Sequence, residues 1–230
     1  MSTLRPCTSR REFLGQCGIA ATALAGSGSL APVLAEPQAT ESIAASAAWD
    51  LSWVETLASA KYKVAFDANV IDDGIAIDHA ATILDQFHEV YGTRDDETRV
   101  AIVMRQLGTP MAFNDSVWER YSVGEDTKIN DPATKSPIRR NPFWKARSDD
   151  SPQAAATKLQ RLTERGVIVL LCNIALTNWS RRNAASARKE VDEVKADAMR
   201  NLVPGTILVP SGIFALTRAQ NAGCAFLRAS

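Results

Sequence analysis

Histidine is almost missing from this sequence: His79 and His88 are the only two in 230 residues. They lie nine positions apart in a stretch of helical periodicity, and at about 100° per residue they fall on opposite helix faces. That helix therefore cannot offer both to one metal ion. The acids near them, Asp67, Asp72, Asp73 and Asp78, sit where turns and a first helical turn are expected, and no metal site is assigned. No Ser-His-Asp arrangement, phosphate-cradling glycine loop or zinc-type cysteine spacing occurs either, so no cofactor is implied. An excess of charge of one sign is also lacking, with 26 basic against 26 acidic side chains. The first 35 residues hold Arg5, Arg10 and Arg11 against Glu12, which leaves 23 basic and 25 acidic residues in the remainder. That balance gives no electrostatic footprint for nucleic acid or an anionic membrane surface. Aromatic residues are sparse at 7%, but apolar residues reach 46%, which supports a packed core and excludes wholesale disorder.

What is present begins with the leader. Residues 9–15 read Ser-Arg-Arg-Glu-Phe-Leu-Gly. The pair Arg10-Arg11 followed by Phe13-Leu14 resembles the twin-arginine export motif, with Gly15 where a lysine is usual. Residues 17–35 are apolar but diluted by Gly18, Gly26 and Gly28, and they end in Val33-Leu34-Ala35, a small-x-small cleavage site. Residues 1–35 are thus read as a signal peptide, recognised by the twin-arginine export machinery and delivering the protein to the periplasm. No later run reaches the ~18 apolar residues of a membrane span, so no stable span is expected after cleavage. Residues 36–58 are read as a linker, small and polar over 36–48, and residues 59–230 as one α/β domain.

Within that domain apolar runs alternate with helical patterns. Strands are expected near 63–68, 99–105, 167–172, 206–210 and 224–228. Helical spacing of Ala80, Ile83, Leu84, Phe87, Val90 and Tyr91 follows the first. The run Arg99 to Met104 shows no polar alternation, as befits a strand covered on both faces. Residues 123–150 form a polar excursion with Pro132, Pro137 and Pro142. Residues 152–164 and 213–221 read as helices, and 174–201 as mostly helical and heavily charged. Repeated strand–helix alternation requires crossover connections and implies a mainly parallel sheet between helices. The fold class is therefore α/β: a three-layer α/β/α arrangement around a five-stranded, mainly parallel sheet, flavodoxin-like in layout.

The C-terminal third carries a resemblance. Residues 166–176 (Gly-Val-Ile-Val-Leu-Leu-Cys-Asn-Ile-Ala-Leu) end a strand in Cys172. Pro204-Gly205 then leads into a strand closing in Pro210-Ser211-Gly212, and Leu216 and Gln220 precede Gly223. Over about 60–228 the chain resembles the DsrE/DsrF-like family. The resemblance implies a DsrE-like three-layer fold, homo-oligomers, and a sulfur relay in which a cysteine persulfide is carried on Cys172, with a small sulfur compound as partner. The chain departs from the family pattern at Asn173 and Ile174, where a glycine is common, and in the length of 123–150 and 178–203. The best-known members act in the cytoplasm, whereas this chain carries an export signal. A non-catalytic oligomeric binding module of the same fold is the alternative.

Four cysteines are present, two of them in the leader. Cys172 closes an apolar strand before a helix, at the sheet edge where doubly wound folds bind ligands. Unpaired N–H groups of a helix N-terminus favour a thiolate there; the other reading is a small buried apolar residue. Cys224 starts a strand while Cys172 ends one, so the two are expected too far apart for a disulfide. Ser211, Gly212 and Asn173 are the candidate ligand-binding residues: Ser211 either caps the following helix or belongs to an anion site on its N–H groups. Asn141-Pro142-Phe143-Trp144 reads as a lid, a subunit contact, or a cluster pinning the long loop. Replacing Arg10 and Arg11 together with lysine should leave precursor in the cytoplasm in a fractionation experiment, because the receptor reads the pair; normal export would assign the leader to the general secretory route.

Overall fold

The computed structural model describes residues 49–229. The leader, with Arg10, Arg11, Phe13 and Leu14, and linker residues 36–48 lie outside the described residues. Five strands, β1 (Tyr62–Ala68), β2 (Thr98–Met104), β3 (Ile168–Cys172), β4 (Thr206–Val209) and β5 (Ala225–Arg228), form one sheet. Its order is β4-β3-β2-β1-β5, and every pairing is parallel. The three-layer α/β/α class is as the alternation implies. The last strand, rather than the second as in the 2-1-3-4-5 flavodoxin order, lies outside β1.

The handedness of the crossovers distributes the helices. From β1 to β4 the chain steps across the sheet in one direction, so right-handed connections stay on one face. That face carries α2 (Ile75–Tyr91), α3 (Asp115–Arg120), α4 (Val123–Thr127), α5 (Pro152–Ala156), α6 (Leu159–Glu164), α7 (Asn173–Ala187) and α8 (Val191–Arg200). Strand residues Phe66, Ile102, Met104 and Leu171 point into its core with Leu84, Leu162, Leu176 and Val194. The step from β4 back to β5 reverses direction and brings α9 (Gly212–Asn221) to the other face. There α9 meets all five strands and packs beside α1 (Ser52–Ser59) over Ala65, Ala101, Val103, Leu170 and Val209. The small side chains of β1 and β2 on this face let two helices suffice.

Three expectations are corrected. The linker does not extend to position 58: residues 52–58 belong to α1, whose Trp53 and Leu57, spaced i, i+4, are buried against the sheet. The segment 152–164 is two short helices, separated at Thr157 and Lys158. The charged segment 174–201 is likewise two helices, because Arg188 adopts a left-handed conformation at φ 53° and ends α7.

The long excursion is anchored rather than free. Asn141 is fully buried; its amide donates to Met111 O at 2.9 Å and Phe113 O at 2.6 Å, while its Oδ1 accepts from Phe143 N–H at 2.8 Å. Phe143 meets Trp118 edge-on, and Trp144 packs on the main core. Of the three readings of 141–144, the pinning cluster describes the contacts made. The stretch between β2 and the excursion, on one side, and the charged helices, on the other, also hold each other. Trp179 of α7 packs on Phe113 and Tyr121 with ring centroids 4.5 and 5.2 Å apart. Asp197 of α8 is buried, and accepts hydrogen bonds from Arg120 and the Tyr121 hydroxyl.

Burial alone would raise the Asp197 carboxyl, but the hydrogen bonds from Arg120 and Tyr121 outweigh it and hold it below its ordinary value. The Tyr121 hydroxyl is pushed up to about 12, by burial first and then by donation to Asp197. A carboxyl depressed in the folded state contributes stability that is complete above its unfolded value and lost as pH falls through the folded one. Urea melts in acid should therefore show native stability falling below about pH 4 more steeply than that of Asp197→Asn. Parallel acid limbs would mean that the Asp197 cluster carries no such linkage.

Candidate functional site

The two faces separate at the carboxyl ends of β3 and β4. The connection after β3 leaves toward α7 on one face, and that after β4 toward α9 on the other. Neighbouring strands whose connections part in this way leave a crevice, the usual ligand position in an open α/β sheet. Here the crevice holds about 270 Å³ and is lined by Arg105, Cys172, Asn178, Arg182, Ser211 and Gly212, among others. Leu107, Ile174 and Ile213, from the connections after β2, β3 and β4, rim it as exposed apolar side chains.

Cys172 is the last residue of β3 and the N-cap of α7. Its Sγ accepts the Ala175 N–H at 3.3 Å, in the place a serine oxygen takes in a conventional cap. The residue is 6% exposed and forms part of the crevice wall. Cys224 precedes β5 at the opposite edge of the sheet, and both cysteines are free and buried. Burial pushes the Cys224 thiol up, only partly offset by Lys63.

Ser211 lines the crevice and caps α9, accepting Phe214 N–H at 3.1 Å. Gly212 has a reason that only the packing reveals. A Cβ there would stand 2.7 Å from Cδ and 3.0 Å from Cβ of Arg105, so the missing side chain is the passage of the arginine stem. Asn173 does not line the crevice; its carbonyl accepts the Thr177 hydroxyl, and Asn178, one turn further along α7, faces the crevice instead.

Two further residues of this neighbourhood belong to no sequence motif. Arg105 prolongs β2 in extended conformation, and one step beyond the Met104–Leu171 pairing brings it level with Cys172. Asp67 is not a turn residue but the buried sixth residue of β1. Its Oδ1 and Oδ2 accept from Arg105 Nε at 2.6 Å and Nη2 at 2.7 Å, a bidentate fork. The Arg105 guanidinium is held above its ordinary value, first by this hydrogen bonding, against burial, and then by the charges of Asp67 and Cys172. The available signal was an acid inside an otherwise apolar strand, since an ionised carboxylate is seldom buried unpaired. The backbone around Arg105 is equally fixed. Its N–H donates to Ala68 O at 3.1 Å, Gln106 stands at φ 50°, and Gly108 lies so close to Ala68 O that a Cβ would approach it to 2.2 Å. Among the described residues no group of three or more His, Cys, Asp or Glu side chains is placed to hold a metal ion. No helix among them is long and apolar enough to cross a membrane.

Fold and crevice define a doubly wound α/β protein with a thiol at its topological switch point. No protein-family model matches the chain, and no curated protein matches it in sequence. Among solved structures it is similar to the protein of unknown function MTH1491 from Methanobacterium thermoautotrophicum. The identity is 16%, over 73% of this chain and 98% of that one, with a TM-score of 0.37. A likeness at that level carries no functional argument.

Gly212→Ala and Asp67→Asn attack the same arginine from two sides. The former displaces its stem, and the latter leaves a partly buried guanidinium without its carboxylate, at a cost of about 3–5 kcal/mol. Equilibrium denaturation of the double variant should show a loss smaller than the sum of the single losses. Simple additivity would separate Gly212 from the Arg105 fork.

Proposed function

We propose that this is an exported DsrE/DsrF-like protein that carries sulfur on Cys172 outside the cytoplasm, as a homo-oligomer. The observation that carries the reading is the Cys172 sulfur: it caps α7 by accepting the Ala175 N–H, and it borders a crevice whose only charged lining residues are Arg105 and Arg182. A helix N-terminus and nearby guanidinium groups favour the thiolate and a second anionic sulfur beside it. In the transfer, the Cys172 thiolate attacks the outer sulfur of a persulfide donor. One S–S bond forms on Cys172 as the donor's S–S bond breaks, and the electron pair leaves on the donor thiolate. No net oxidation takes place. The twin-arginine motif at Arg10 and Arg11 supports the extracytoplasmic setting, and two cysteines placed at opposite sheet edges fit a thiol kept free there.

One observation favours a second reading, an oligomeric binding module without chemistry: Cys172 is 6% exposed, while Leu107, Ile174 and Ile213 around the crevice are 63%, 56% and 72% exposed. Such an apolar rim suits a protein contact. Alkylation with iodoacetamide across pH distinguishes the two. The carrier reading expects rapid labelling of Cys172 in the folded protein, with Cys224 silent, and a mass gain of one sulfur atom on the Cys172 peptide of protein from the periplasm. Labelling of neither cysteine without denaturant would favour the module.

A further inference from the structure

A larger cavity, of about 540 Å³, lies beside the Cys172 crevice and shares Leu107 and Arg182 with it. It is built from the connection after β1 (Val70, Ile71, Asp72), the turn after β2 (Leu107, Pro110), α4 (Val123, Asp126, Thr127) and α7 (Trp179, Arg182, Asn183). Its volume is that of a small-molecule site, and an apolar body with few polar groups is the usual lining of one. Ile71, Pro110, Val123 and Trp179 supply the apolar part, all of them buried.

Asn183 shows that the polar part is directed inward. The residue is 5% exposed, and its Nδ2 donates to Trp179 O at 2.9 Å, which fixes the orientation of the amide. The Oδ1 accepts from no group among the described residues, and Asn183 belongs to the cavity lining. The same lining includes Asp72, Asp126 and Arg182. None of these three is engaged in an ion pair among the described residues. The site thus offers open acceptors, one open cationic donor and an indole wall.

We infer that this cavity binds a small zwitterion with an apolar side chain, an amino acid or short peptide. Its ammonium group would sit between Asp126 and Asn183 Oδ1, its carboxylate on Arg182, and its apolar part against Trp179. Two carboxylates in the lining disfavour a phosphate ester, and a guanidinium disfavours a bare metal cation. Because Arg182 and Leu107 belong to both cavities, a carboxylate held on Arg182 places the ligand next to the Cys172 crevice. That a thiol-bearing ligand so held would exchange sulfur with Cys172 rests on the carrier reading above; the binding itself does not.

Calorimetric titration of the purified protein with alanyl-methionine tests the binding without any sulfur exchange, because a thioether cannot react with a thiol in this way. The intact protein should bind it in the millimolar range or tighter. Arg182→Gln and Asp126→Asn, both at exposed positions whose replacement leaves the core untouched, should each weaken binding about tenfold, the magnitude of one charged hydrogen bond. The same dipeptide acetylated at its amine and amidated at its carboxyl should bind at least as weakly as to these variants. Absence of binding to the intact protein, undiminished binding to both variants, or equal binding of the blocked dipeptide would each overturn the inference. Failure of the persulfide experiment with these bindings intact would overturn only the carrier.

Discussion

The right-handedness of the β-crossover connection constrains the whole molecule. Four strands laid down in one direction commit seven helices to one face, and the single reversal from β4 to β5 sends α9 to the other. From that one reversal follow the thin second face, with α1 and α9 over alanine-rich strand positions, and the location of the crevice. Among the described residues, no other adjacent pair of strands has connections that leave to opposite faces at the carboxyl edge. The cysteine at the end of β3 and the serine after β4 come together because the chain changes direction between them.

Electrostatics then give this edge its character. Asp67 and Arg105 form a bidentate pair with side chains only 7% and 20% exposed, and a pair so placed is costly to break from either side. The fork holds Arg105 beside Cys172 while the arginine stem occupies the space that Gly212 leaves open. A glycine with an apparent ligand-facing role thus acts through a neighbour. The cysteine is a structural cap and a wall of the crevice at once. The burial that makes it look like core and the N–H contact that makes it look chemical are two aspects of one position.

Two long segments of the chain are halves of one structure. The stretch 106–127 after β2 supplies Phe113, Trp118, Tyr121 and α4; the charged pair α7 and α8 supplies Trp179 and Asp197. Aromatic contacts join them on the inside, the buried Asp197 cluster joins them further out, and Val203 N–H donates to Ala112 O at 2.8 Å along their common edge. Neither would bury its apolar side chains without the other. With the connection after β1 they line the larger cavity.

Alternation of apolar runs with helical periods was sufficient to specify five strands, their parallel pairing and the three layers, because each of these follows from local pattern and from the handedness of crossovers. The placement of Cys172 and Cys224 at opposite sheet edges was legible for the same reason. The sequence alone did not disclose that residues 52–58 are helical, since a two-turn helix with two apolar contacts has too weak a period to stand out. Nor did it disclose the break at Arg188, which depends on one left-handed residue. The fork of Asp67 with Arg105, 38 positions apart, the reason for Gly212 and the larger cavity were decided by tertiary structure only. Each depends on distant segments meeting, and local sequence carries no record of which side chain will stand opposite which.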